Sequence, residues 1–384
     1  MSVLPGSRAA AVRIEGDILT PRGFLRGELE IEGGAVRSIR GTPVDESQVR
    51  AAGRAIVLPG FIDLHVHGGG GSDIMEGGDA PERVARLHVR HGTTALLATT
   101  MTAPLAEIRS ALRGVQPLLE RRGAGCARLL GVHLEGPYIN PGKLGAQPHF
   151  TRTATLEEVT ALSAIAPIRV LTLAPELIDD VDFIARLVSA GIRVQIGHTL
   201  GSYEEGVEAL QRGASGFTHL FNAMTALHHR EPGMVGAALA HAQYSEVIPD
   251  LLHAHPGAIR AALRAIPCLY CVTDSTAAAG MPDGDYRLGR HKVTKCLGGV
   301  RLADGTLAGS TLTMDQALRN LVGIGLSIEE ASHRVSTHAA DYIGEPRRGR
   351  IDEGCHADLV VTDRDLQLQR VFAEGEAIDL AHAL

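Results

Sequence analysis

Residues 61–71 read FIDLHVHGGGG (Phe61–Gly71). An apolar run ends in two histidines one residue apart, then in four glycines. In an extended strand, residues i and i+2 share a face, so His65 and His67 can point the same way. The glycines let backbone come close to whatever the histidines face. They lack the GxxxxGK[ST] pattern of a nucleotide-binding loop. One histidine at a strand end is commonly a satisfied core residue, so the meaning of this stretch depends on what the other strands end in.

Seven further β-like runs follow the first, which spans Val57–His67: Thr93–Thr102, Ala127–Gly136, Arg169–Glu176, Arg193–Thr199, Gly216–Ala223, Glu246–His253 and Leu269–Ser275. Amphipathic helical stretches separate them, at Ala80–His91, Leu105–Arg121, Leu156–Ile165, Asp179–Ala190, Ser202–Arg212 and Pro256–Ala265. Eight strand–helix units predict an α/β fold, a (β/α)8 TIM-like barrel whose strands are apolar because both faces are covered. A doubly wound open sheet is the alternative, and no GxGxxG at a first strand–helix turn supports it. The flanks differ in texture. Residues 1–57 and 348–384 read as short, partly alternating strands punctuated by Gly and Pro. They are expected to pair as one small β-sandwich domain around a barrel of residues 58–347, since chain ends often lie close together.

Barrel enzymes build their sites at the C-terminal ends of the strands. The runs here end in His65 and His67, in His133-Leu-Glu135, in His198, in Thr218-His219-Leu-Phe-Asn222, in His253 and in Asp274. Imidazole and carboxylate groups converging on one mouth suit zinc and related divalent ions. Glu135, His198, His219, His65 and His67 are therefore candidate ligands. His133 reads as a supporting or core residue. Asp274 reads as a general base, with a further metal ligand or a helix cap as its alternatives, and Glu135 could instead cap the turn at Gly136-Pro137. Arg230, in the string His228-His229-Arg230-Glu-Pro-Gly, suits a phosphate through bidentate hydrogen bonds; an exposed, solvated loop is the plain alternative.

The strings PGFIDLHVHG, HLEGPYIN, IGHT, THLFNAM, REPG, CVTDSTAAAG and LAGSTLTM run from Pro59 to Met314, with GRIDEGCHADLVV after them. Together they resemble the amidohydrolase superfamily and, within it, the N-acetylglucosamine-6-phosphate deacetylase family. The resemblance implies a metal-dependent hydrolase of an N-acetylhexosamine 6-phosphate, with one or two divalent ions per subunit. Zinc is the expected ion, and iron or another transition metal the alternative. It implies Glu135, His198 and His219 as the main ligands, His65 and His67 at a second ion, and Asp274 as catalytic carboxylate. Asn222, Ala223, Arg230 and His253 would contact the sugar phosphate, and a homodimer would contribute part of that pocket. Two positions depart from the pattern. Gln147 stands where many members carry a histidine that polarises the acyl carbonyl. Asp250-Leu-Leu-His253 replaces a D-G-x-H string. The galacto-configured substrate, another amidohydrolase activity on N-acyl amino acids or cyclic amides, and a non-catalytic binding protein are the competing readings. No lysine ends any of the first six runs, which counts against the carboxylated-lysine hydrolases; the base at Asp274 counts against mere binding.

Composition agrees with this picture. The 384 residues are 45% hydrophobic and 21% charged, with a net charge of −7, enough for a large core and little for nucleic acid. Five irregularly spaced cysteines do not make a disulfide framework, and Cys268-Leu-Tyr-Cys271 reads as buried thiols. No segment has the length and apolarity of a signal peptide or membrane span, so a cytoplasmic protein is expected.

Overall fold

The structure, a computed structural model, describes residues 11–381. Six strands hydrogen-bond in chain order: β1 (Phe61–Val66), β2 (Thr93–Thr100), β3 (Arg128–Glu135), β4 (Ile168–Leu173), β5 (Arg193–Ile196) and β6 (Gly216–Phe217). All their pairings are parallel. β7 (Tyr244–Val247) and β8 (Cys268–Cys271) form a parallel pair of their own. Two seams close the ring. Leu220 N–H donates to the Glu246 carbonyl at 2.9 Å and Ser245 Oγ to the Phe217 carbonyl at 3.1 Å, joining β6 to β7. Asp274 N–H donates to the His65 carbonyl at 2.9 Å and His67 N–H to the Ser275 carbonyl at 3.0 Å, joining β8 to β1. The result is the (β/α)8 barrel. Every residue of β1 and β2 is buried, as strands covered on both faces require.

Helices follow the strands at Ala80–Arg90, Leu105–Glu120, Leu156–Ser163, Phe183–Ser189, Tyr203–Gln211, Gly233–His241, Pro256–Ala265 and Met314–Gly323. Their boundaries follow local chemistry. Tyr203–Gln211 starts at a capping box in which Ser202 Oγ and the Glu205 carboxylate each accept from the other residue's backbone N–H. Ala80–Arg90 buries Val84, Leu87 and His88 on one side, at the spacing of a single helical face. No helix among the described residues is long and apolar enough to cross a membrane.

The run Val57–His67, read above as one strand, is two. Ile56–Pro59 pairs with Val12–Thr20 and with Leu359–Thr362 in a separate sheet, and the barrel begins only at Phe61. Gly60 is the break. A Cβ there would lie 2.3 Å from Thr94 Oγ1, so only glycine lets the chain pass between the two sheets. That second sheet has seven strands drawn from both ends of the chain, with Ile56–Pro59 at its centre. It curls until Ala35 pairs with His356, and encloses Ile14, Ile18, Leu29, Val57, Leu359 and Phe372, forming the small β-sandwich.

The unit count missed one element. Between β8 and the last barrel helix the chain makes a three-stranded antiparallel sheet, Gly284–Leu288, His291–Cys296 and Gly299–Arg301. It buries Leu288, Val293 and Val300 against Met101, Ala278 and Ala308 beside the barrel mouth. All five cysteines are free; Cys271 is buried and Cys268 half-buried.

Candidate active site and metal centre

β1 carries His65 and His67 to the mouth, β3 ends in Glu135, and His198, His219 and Asp274 follow β5, β6 and β8 directly. The last three hold φ of 49°, 30° and 48°. These left-handed conformations cost a non-glycine residue about 1–3 kcal/mol, and they persist because the strand before and the loop after each one over-determine them.

The side chains meet in two overlapping groups. Glu135 Oε1 lies 3.0 Å from both His198 Nε2 and His219 Nε2, which are 3.1 Å from each other. Glu135 Oε2 faces the other group: His67 Nε2 is 3.0 Å away and His65 Nε2 3.5 Å. Asp274 Oδ1 completes it, 3.4 Å from His67 Nε2 and 3.6 Å from His65 Nε2.

Hydrogen bonds around the rings test whether a cation fits. His198 Nδ1–H donates to the Lys143 carbonyl at 2.8 Å, which turns a bare Nε2 toward Glu135 in the neutral ring. His65 Nδ1 faces Glu246 Oε2 at 3.0 Å. His67 Nδ1 and His219 Nδ1 are buried without a partner. Two ring nitrogens and a carboxylate oxygen within about 3 Å of one another are more acceptors than one proton can serve. No Lys or Arg side chain among the described residues pairs with Glu135, Glu246 or Asp274. Each three-residue group, Glu135–His198–His219 and His65–His67–Asp274, brings its ligand atoms close enough to hold an ion, and the donor set suits a divalent metal.

The electrostatics say the same. Burial alone would raise the Glu135 carboxyl, but the facing His65 and His198 outweigh it and hold it well below the usual range. Burial alone would lower His65, yet Glu135, Asp274 and Glu246 push it well above its ordinary value. A site that draws protons onto its imidazoles this strongly draws a metal cation for the same reason.

His133 packs against His65 and with it and Glu246 makes a third group close enough to hold an ion, but both its ring nitrogens are already committed. Its Nδ1–H donates to the Leu64 carbonyl at 3.0 Å and its Nε2 lies 2.7 Å from Thr172 Oγ1. Burial lowers its pKa to about 3, so it is neutral and internally satisfied. Two acids were not singled out in the sequence. Glu246, inside β7, buttresses His65 and accepts from His219 N–H at 3.2 Å. Asp63, inside β1, accepts from the His65 and Thr273 N–H groups and from Thr273 Oγ1, tying β1 to β8; burial raises its pKa to about 7. An acid inside an apolar run was the available signal for both.

A cavity of about 370 Å³ opens over the ligand groups, lined also by Gln147, Asn222, Ala223 and His253. Asn222 commits its side-chain N–H groups to the His219 and Leu220 carbonyls, leaving Oδ1 as its open group. His253 bonds Asp250 Oδ2 at 2.6 Å; burial lowers its pKa, but that bond together with the negative charges of Asp250 and Asp274 outweighs burial and the net shift is upward. Leu251 takes φ 66° where the D-G-x-H string would have glycine, so the turn keeps its shape at some conformational cost. Arg230 is not brought into this cavity. It lies exposed on the loop after β6, beside His229 Nε2 at 2.8 Å, in a separate depression with Leu200, Tyr203 and Glu231. Nearness in sequence to Asn222 does not set reach, because the loop runs outward before the helix at Gly233.

Comparisons with known proteins place the family. The amidohydrolase family pattern matches residues 56–378. An N-acetylgalactosamine-6-phosphate deacetylase of Escherichia coli O157:H7 is 38% identical over 94% of this chain and 97% of its own length. An N-acetylglucosamine-6-phosphate deacetylase of Vibrio furnissii is 37% identical over 84% of this chain and 82% of its own. The structure of a mutant N-acetyl-D-glucosamine-6-phosphate deacetylase from Mycobacterium smegmatis, in complex with N-acetyl-D-glucosamine 6-phosphate, superposes with a TM-score of 0.88 at 33% identity, covering 96% of this chain and 100% of that one. With barrel, ligand groups and sequence in agreement over nearly its whole length, the chain belongs to the amidohydrolase family, in its N-acetylglucosamine-6-phosphate deacetylase branch.

Proposed function

We propose that this protein hydrolyses the acetamide of N-acetyl-D-glucosamine 6-phosphate, giving D-glucosamine 6-phosphate and acetate. The observation that carries the reading is the meeting of Glu135, His198 and His219 with Asp274 at the floor of one cavity. Glu135, His198 and His219 would hold one divalent ion, zinc by its preference for such a donor set, with His65, His67 and Asp274 able to hold a second. When bound, the ion supplies a Lewis acid that makes water a better nucleophile and the acyl carbon a better electrophile.

The chain's own residues supply the rest. Asp274, 8% exposed, keeps its carboxylate at the cavity floor. It accepts a proton from the attacking water and passes that proton to the leaving amine nitrogen as the C–N bond breaks. His253, whose Nδ1 is taken by Asp250, offers Nε2 as a hydrogen-bond partner to the 6-phosphate. Asn222 Oδ1 can accept from a sugar hydroxyl. Arg230, exposed outside its own cavity, is proposed to reach the phosphate bound by a second copy in a homodimer; a chain that sediments as a monomer at working concentration would exclude that role.

Acetate release across a panel tests the function. N-acetylglucosamine 6-phosphate is expected to give the highest kcat/KM, above the galacto epimer, the unphosphorylated sugar and N-acetyl amino acids. The galacto epimer is the rival to watch, because the Escherichia coli relative named for it is as similar as the gluco enzymes. A higher kcat/KM for any rival overturns the substrate assignment.

A further inference from the structure

The segment after β3 touches two members of the Glu135–His198–His219 group. Asn140 N–H donates to the His198 carbonyl at 2.9 Å, and the Lys143 carbonyl accepts from the His198 ring. Four residues on, Gln147 is buried between Thr102 and Glu135. Thr102 N–H lies 2.7 Å from one end of the Gln147 amide. A backbone N–H can only donate, so that end is the oxygen, and the nitrogen must point the other way. The nitrogen lies 2.5 Å from Glu135 Oε2, a carboxylate oxygen that can only accept. The chemistry of its two neighbours thus fixes the amide's orientation without ambiguity.

We infer that Gln147 is a positioning residue for the metal centre. It holds Glu135 by Oε2 so that Oε1 faces His198 and His219, and so raises the affinity of that triad for a divalent ion. One of its two amide N–H groups is committed to Glu135, which leaves the other for an acyl carbonyl, the task the family resemblance implies for this position. The inference rests on Glu135, His198 and His219 being ligands, and its test separates the two.

The full chain, stripped of metal, is titrated with zinc against a chelating dye. Gln147→Met keeps the length of the side chain but neither hydrogen bond, and is expected to weaken zinc binding about 10–100-fold. Gln147→His can accept from Thr102 at one ring nitrogen and donate to Glu135 at the other, so it is expected to stay within about threefold of wild type, the rescue a merely space-filling role would not produce. His219→Ala is the control. If it binds zinc as tightly as wild type, the ligand assignment itself fails. If it loses zinc while Gln147→Met binds like wild type, the ligands stand and the positioning role is overturned. Should Gln147→Met not fold, Gln147→Ala is read against the same limits. At saturating zinc, Gln147→Met is expected to keep KM near wild type; a change confined to KM would assign Gln147 to the substrate instead.

Discussion

Strand β3 starts in a partly buried charge cluster and ends in a buried one, about 23 Å away at the rise of a parallel strand. At its first residue, Arg128 grips Glu374 of the small sandwich through Nε and Nη2, both at 2.8 Å. Arg348 bonds both Glu374 and the buried Asp358, and Arg122 reaches Glu376. Burial would raise the Glu374 carboxyl, but Arg128 and Arg348 outweigh it and take it down to about 2. At the last residue of β3, Glu135 sits among imidazoles and acids, and among the described residues no guanidinium or ammonium pairs with it. The residue types overlap, yet the first cluster is electrostatically closed and the second is left short of a cation. A buried carboxylate is therefore no sign of a site by itself; what separates a clamp from a metal centre is whether the chain supplies the counter-charge.

The sharpest way to break this contrast is at Asp274. Asp274→Asn keeps the volume and removes the base, so turnover is expected to fall about 10²–10⁴-fold while zinc and substrate still bind. Near-normal acetate release by the variant would remove the proposed mechanism. At the closed end, Arg348→Met strands Asp358 and Glu374 and is expected to cost about 3–5 kcal/mol in urea unfolding, with zinc affinity unchanged. A loss of zinc affinity in that variant would show that the two clusters are coupled through β3. Chelation is the converse experiment. It should abolish activity and lower stability by about 2.7 kcal/mol relative to protein held at a hundredfold excess of zinc over Kd; an activity that survives exhaustive chelation would rule out the metal-dependent reading.

A further expected effect is one of pH. His88 is buried, with Nε2 on the Gly68 carbonyl at 3.0 Å, and burial lowers its pKa to about 4. Its folded value lies below its unfolded one, so the unfolded chain takes up a proton that the folded chain refuses. Stability is then present above about pH 6.5 and lost as pH falls toward 4, by about 3 kcal/mol over the window. His88→Gln, which can still donate to Gly68, should flatten that acid limb; an unchanged pH dependence would place the sensitivity elsewhere.

Much of this was legible because strand periodicity is local. Alternation over two residues put His65 beside His67, and apolar runs bounded by glycine located all eight strands and six of the helices around them, but not Gly233–His241 between β6 and β7. The residues ending those runs, Glu135, His198, His219, His253 and Asp274, could be read as one rim because barrel strands all point their C-terminal ends the same way. Other features depend on contacts across the chain and had no local signature. Gly60 divides one apolar run between two sheets only because Thr94 packs against it. Arg230 is near Asn222 in sequence but outside its cavity, since a loop's direction depends on what it packs against. Glu246 looks like any acid in a strand until His65 is placed beside it.

The sequence by itself determined the barrel and the joining of both termini into one small domain, and it offered a set of candidate metal ligands, because periodicity and residue chemistry are properties of short segments. Only the tertiary structure decided which oxygen of Glu135 faces which histidines, that Gln147 is turned onto Glu135 by Thr102, and that the acids near Arg348 are neutralised while those near His65 are not. Hydrogen-bond direction and counter-charge depend on distances of a few ångströms between residues far apart in the chain, and folding alone sets those distances.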